Sequence, residues 1–153
     1  MLTFFQFEAD FVESLRCIPM QVRFKLDTCG VKLKLHQWNQ FSQTDRMALV
    51  NLPCETAAEI TAYHDWLHQL IADRTGETAT DLPIDPHPAW LDATQIPEIV
   101  QLRSQQEGIA LQPSQWEMLA PLQRFALIKL SRSSHENSNF IPALQEFGLL
   151  GRS

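Results

Sequence analysis

The run IPMQVRFKLDTCGVKLKLHQWNQFSQTDRMALVNL, Ile18 to Leu52, decides the fold, because most of it is written a second time as IPEIVQLRSQQEGIALQPSQWEMLAPLQRFALIKL, Ile96 to Leu130. At a constant offset of 96 − 18 = 78 and without a gap, 11 of 35 positions are identical, and pairs such as Val31/Ile109 and Val50/Ile128 keep their character. The identities are Pro19/Pro97, Gly30/Gly108, Gln37/Gln115, Trp38/Trp116, Arg46/Arg124 and six aliphatic positions. Proline suits the first turn of a helix, and glycine the position just past its end. Each window therefore reads as helix, glycine turn, short helix, helix. Pro113 opens the short tryptophan helix of the second window at N1. Ser42 with Asp45 three residues on marks a capping box before Met47, Leu49 and Val50, and Pro121 opens the matching helix.

Outward from the windows, Glu55 to Arg74 sets Ile60, Tyr63, Leu67, Leu70 and Ile71 at three- and four-residue spacing with Gly76 beyond, an amphipathic helix. Asp81 to Trp90 contains Pro83, Pro86 and Pro88 and reads as a polyproline-like connector. Met1 to Phe11 is an aromatic-rich stretch expected to form an extended N-terminal arm, with a helical turn from about Ala9 to Arg16. Ser131 to Asn139 reads as a polar loop and Phe140 to Leu150 as a closing helix ended by Gly148 or Gly151. The expectation is an all-α fold: a single compact helical domain over residues 1–153, internally duplicated into pseudo-twofold units at about 18–52 and 96–130.

A chain of 153 residues is long enough to bury about 70% of its unfolded surface without disulfides. Cys17, Cys29 and Cys54 are odd in number, form no C-x-x-C and fit no iron–sulfur spacing, so buried reduced thiols are expected. No run is long and apolar enough for a membrane span, and the acidic start lacks a signal-peptide pattern, which points to a cytoplasmic protein. The net charge of −6 is uneven: residues 1–54 carry 6 basic and 5 acidic groups, 55–98 carry 1 and 9, and 99–153 carry 5 and 4. That balance argues against nucleic acid or an anionic membrane as a partner.

Reactive constellations are scarce. No P-loop, G-x-G-x-x-G, G-x-S-x-G or Cys/His nucleophile pattern occurs, so no catalytic residue is assigned. His64 and His68 stand at i, i+4, a spacing that metal sites use, but Asp65 is the best third ligand and falls on another helix face. Helix-surface histidines are the simpler reading, and neither a metal nor a cofactor is expected. Arg46 and Arg124 each follow a tryptophan by eight residues. One reading makes Trp38, Arg46, Trp116 and Arg124 the lining of a cleft between the repeat units for an anionic ligand. The other gives each arginine the carbonyls of a neighbouring helix end to cap, a duty that a repeated fold would keep twice. Arg23, Lys25, Asp27, Lys32 and Lys34 form a largely basic stretch without an equal in the second window, and so a candidate partner surface.

The run FQFEADFVESLRCIPMQVRFKLDTCGVKL, followed by W-x-x-F at Trp38 to Phe41 and by Arg46, resembles the opening of the nitrate reductase-associated proteins of cyanobacterial type. LRCIPM-x-VR-x-KLD, Leu15 to Asp27, is the most specific part, and the resemblance extends over nearly the whole chain. It implies a small non-enzymatic accessory or maturation protein of nitrate assimilation, with assimilatory nitrate reductase, a molybdenum enzyme, as partner. The family brings no catalytic residues to carry over. Oligomeric state is left open by all of these features.

Overall fold

The prolines and glycines act close to where the sequence puts them. The computed structural model describes residues 4–8, 15, 17–132 and 139–150. In chain order its elements are α1 (Met20–Cys29), β1 (Val31–Lys32), α2 (Leu35–Asn39), α3 (Gln43–Asn51), α4 (Ala57–Thr75), β2 (Thr80–Asp81), α5 (Glu98–Gln106), α6 (Pro113–Glu117), α7 (Pro121–Arg132) and α8 (Phe140–Glu146). The fold is mostly helical, as expected. Helices α2 and α6 begin and end 78 positions apart (113 − 35 and 117 − 39), and α3 and α7 begin 78 apart (121 − 43).

Local chemistry sets the ends. Gly30 stops α1 at φ +76°, a left-handed conformation that costs other residues roughly 1–2 kcal/mol. Pro19 and Pro97 sit at the N-cap, one residue before the first turn, whereas Pro113 and Pro121 open their helices. Ser42 and Asp45 form the expected capping box on α3, and Thr56 with Glu59 forms another on α4. The orphan first amide of α1 finds a distant partner: Met20 N–H donates to Glu8 Oε2 at 3.1 Å, and Glu8 is buried there at the positive end of the helix.

Two expectations are amended. Val31–Lys32 pairs antiparallel with Thr80–Asp81, Val31 opposite Asp81 and Lys32 opposite Thr80, and Leu82 N–H extends the pairing to Gly30 O at 2.8 Å. In the N-terminal arm, Gln6–Glu8 is a 3-10 turn rather than extended backbone. The helical turn expected over residues 9–16 lies, Leu15 apart, outside the described residues, as does the middle of the loop expected at 131–139; Ser131 and Arg132 prolong α7.

The chain separates into two compact units, and the division at 85/86 falls inside the proline-rich connector. In the first, α1, α3 and α4 enclose Val22, Leu26, Leu49, Val50, Tyr63, Leu67 and Ile71 around the fully buried Trp38. Tyr63 is held by donating its hydroxyl to Leu49 O at 2.7 Å. In the second, α7 buries an unbroken run from Arg124 to Ile128, and Trp90 meets Phe125 edge-on at 5.1 Å. Also in the second unit, Phe5 stacks on Phe7 at 5.1 Å and both rings meet Phe147 edge-on. Among the described residues no helix is long and apolar enough to cross a membrane.

Candidate functional site

The cations of the first window divide into two groups. Arg23, Lys32 and Lys34 are exposed, and Leu35, beside Lys34, leaves 58% of its surface in solvent. Arg23 also donates Nε to Ile18 O at 3.1 Å. Lys25 turns inward instead. Its ammonium donates to Val50 O and Leu52 O, each at 2.6 Å, and lies 5.7 Å from the centre of the Tyr63 ring. A cation at the last carbonyls of α3 meets the negative end of that helix, so Lys25 is a cap rather than an offered charge. Burial pulls its pKa below the ordinary lysine value, against the opposing influence of Cys54 and Glu55. Asp27 is half-buried.

The two tryptophan–arginine pairs do the same work in their own units. Trp38 and Trp116 are fully buried, and their indole N–H groups donate to Leu15 O and Asp92 O, each at 2.9 Å. Arg46 donates Nε to Trp38 O at 3.2 Å, Nη1 to Leu15 O at 3.0 Å and Nη2 to Asn39 O at 3.3 Å. Arg124 donates Nε to Trp116 O at 3.2 Å, Nη1 to Trp90 O at 3.0 Å, and Nη2 to Glu117 O at 3.3 Å and Leu119 O at 2.7 Å. A guanidinium engaged in this way satisfies the orphan carbonyls at the end of a five-residue helix. This is the capping duty, and it leaves the fork little freedom to clamp an anion.

The histidines of α4 meet an acid that the sequence hides. His64 Nε2 and His68 Nε2 lie 2.9 and 2.7 Å from the same atom, Asp81 Oδ1, and the two rings stack with centres 4.2 Å apart. Asp65, expected to point elsewhere, takes the other face of His64, Oδ1 lying 2.9 Å from Nδ1. Asp65, then Asp81, raise the pKa of His64 against the opposing pull of burial, and His68, then His64, lower that of Asp81. The i, i+4 pair was legible in the sequence. Asp81 was not, because it arrives through the β1–β2 pairing.

Cys29 and Cys54 are buried, Cys17 half-buried. A hydrogen bond between the two buried thiols holds Cys29 well above the ordinary thiol value and lowers Cys54, which Lys25 favours further.

The protein-family model of conserved nitrate reductase-associated proteins matches residues 4–147. The chain belongs to this family. No curated protein and no solved structure is similar to it. In this nitrate reductase-associated protein the segment Leu15 to Asp27 is largely occupied with its own unit. Leu15 holds φ +56°, a strained value for a branched residue, and its carbonyl takes both the Trp38 indole and the Arg46 guanidinium. Ile18, Val22 and Leu26 fill the core, and Lys25 caps α3. Among the described residues of that segment Arg23 is exposed.

Proposed function

We propose that the protein is a non-enzymatic accessory factor that binds nitrate reductase in the cytoplasm and assists formation or persistence of the active molybdenum enzyme. The observation that carries this reading is the family match over residues 4–147, whose description names association with nitrate reductase. The surface supports a place for that association. Arg23, Lys32 and Lys34 are exposed, whereas the corresponding positions of the second window hold Gln101, Ala110 and Gln112. Leu35 adds an apolar contact next to the cations. Rim charges of this kind steer encounter and register, and an exposed leucine supplies area that is desolvated on docking.

The test is co-purification from cells that express the reductase. Wild-type protein is expected to retain it, and charge reversal at Arg23, Lys32 and Lys34 to release it with the helical circular dichroism unchanged. Cells lacking the protein are expected to show reduced nitrate reductase activity and molybdenum content. A wild-type protein that never retains the reductase, with activity unaltered by deletion, overturns the proposal.

A further inference from the structure

The cluster on α4 and β2 has the composition and spacing of a metal centre. Its three potential ligand atoms, one each from His64, His68 and Asp81, lie within 4.8 Å of one another. Four-coordinate zinc, with bonds of about 2.0–2.1 Å, sets its ligand atoms roughly 3.3 Å apart. The observed N···O separations are 2.9 and 2.7 Å. Opening each by about half an ångström makes room for a cation where the N–H···O protons now lie.

The scaffold is built to hold these groups in place. His64 and His68 occupy successive turns of a 19-residue helix, and Asp81 is fixed by its pairing with Val31 and by the Leu82–Gly30 hydrogen bond next to it. Asp65 holds His64 Nδ1, which turns Nε2 toward the cluster; a carboxylate behind a ligating imidazole is the usual supporting contact of zinc sites. Both histidine side chains are 28–29% exposed and Asp81 60%, so the cluster is open to solvent. An open pocket of about 330 Å³ lies against His64, Asp65 and His68. Within the same unit, residues 55–85 carry 7 acidic and 1 basic residue, which draws cations toward it.

We propose that His64 Nε2, His68 Nε2 and Asp81 bind one divalent transition metal of the zinc class, with Asp65 as the positioning residue. Two imidazoles and a carboxylate favour zinc and its first-row neighbours over calcium and magnesium, which call for all-oxygen shells. Three protein ligands leave at least one position to water. Binding replaces the hydrogens on the two Nε2 atoms. Each displaced hydrogen passes to solvent or, through solvent, to a ring Nδ1 that lacks one.

The test uses untagged full-length protein and Zn²⁺ alone in isothermal titration calorimetry, with Co²⁺ as a visible reporter of four-coordination. One equivalent is expected to bind, with intense Co²⁺ absorption that Zn²⁺ displaces. Asp81→Asn and His68→Gln, which retain hydrogen-bonding side chains, are expected to lose binding while wild-type circular dichroism persists. Asp65→Asn is expected to weaken it about 10-fold. Asp73→Asn, on the same helix but outside the cluster, is expected to leave it unchanged. Absence of saturable Zn²⁺ binding overturns the proposal, as does a Co²⁺ spectrum that survives Asp81→Asn and His68→Gln. Neither result bears on whether the reductase co-purifies.

Discussion

Replacing Arg124 by methionine keeps the apolar stem and removes the guanidinium, which separates a scaffold role from an anion-binding one. Four carbonyls lose a charged donor: Trp116, Trp90, Glu117 and Leu119. Glu117 is exposed and Trp90 half-buried, so water can replace the arginine there, whereas Trp116 and Leu119 are buried. Trp116 O keeps the Leu119 N–H at 3.1 Å, whereas Leu119 O loses its arginine donor. Hydrogen bonds to a charged donor contribute about 1.5–3 kcal/mol each, so losing these two interior ones puts the cost at roughly 4 kcal/mol. For a chain of this size about 1 kcal/mol moves the midpoint by 2–4 °C, which predicts thermal unfolding some 8–16 °C lower. Arg46→Met is expected to cost less, about 2 kcal/mol, because Arg46 is half-buried and one of its three acceptors, Asn39, is exposed. Arg124→Lys is expected to recover less than half of the loss, since an ammonium cannot span the fork of acceptors. Thermal melts followed by circular dichroism, with phosphate and nitrate titrations beside them, measure both quantities. If Arg124→Met melts within 2 °C of wild type and abolishes anion binding that wild type shows, the capping argument is wrong.

Two further perturbations test the fold at its joints. A Cβ at Gly30 would lie 2.7 Å from both Ile84 Cγ1 and Leu82 O at φ +76°, whereas Gly108, at φ +72°, has nothing within 4 Å. Gly108→Ala is therefore expected to cost about 1–2 kcal/mol of backbone strain and Gly30→Ala a further 1–3 kcal/mol, and equal midpoints in urea denaturation would refute the contact. Asp45, buried in its capping box, accepts from Arg74 Nε at 2.8 Å and Nη2 at 3.2 Å, and that guanidinium, with burial opposing it, lowers the carboxyl pKa from its ordinary 3.8. A depressed folded value contributes stability that is present in full above the ordinary value and lost as pH falls through the folded one. Unfolding free energy measured from pH 6 downward should decline below about pH 4 in wild type, and Asp45→Asn should remove that part of the decline. An identical acid limb in both proteins would show that the pair does not couple to folding.

What the sequence conveyed well was whatever lies within a few residues of its cause. Caps, left-handed glycines and apolar spacing are short-range codes, so α3, α4, α6 and α7 could be read to within two residues, and so could the capping duty of two arginines eight residues past their tryptophans. Lys25 was misjudged as a surface charge because the carbonyls it caps are 25 and 27 residues away. The other misreadings converge on one segment. Residues 77–84 are polar and then proline-bearing, which is the composition of a linker, yet Glu77 accepts from Gln37 and lies 2.9 Å from His36. Thr80–Asp81 pairs with β1, Asp81 joins His64 and His68, and Leu82 and Ile84 close over Gly30. Each of these is a contact over more than a dozen residues made by side chains or amides with no periodicity to betray them. The consequence separates the windows. Gly30 and Gly108 hold the same conformation for the same helix-ending reason, but of the two only Gly30 is also pressed by Leu82 and Ile84, and the unit so strapped carries Arg23, Lys32, Lys34 and the histidine–aspartate cluster. The segment from Val31 to Lys34 thus depends on residues 77–84 as much as on its own helices, and loosening residues 77–84 should disturb the ladder, Asp81 and that segment together.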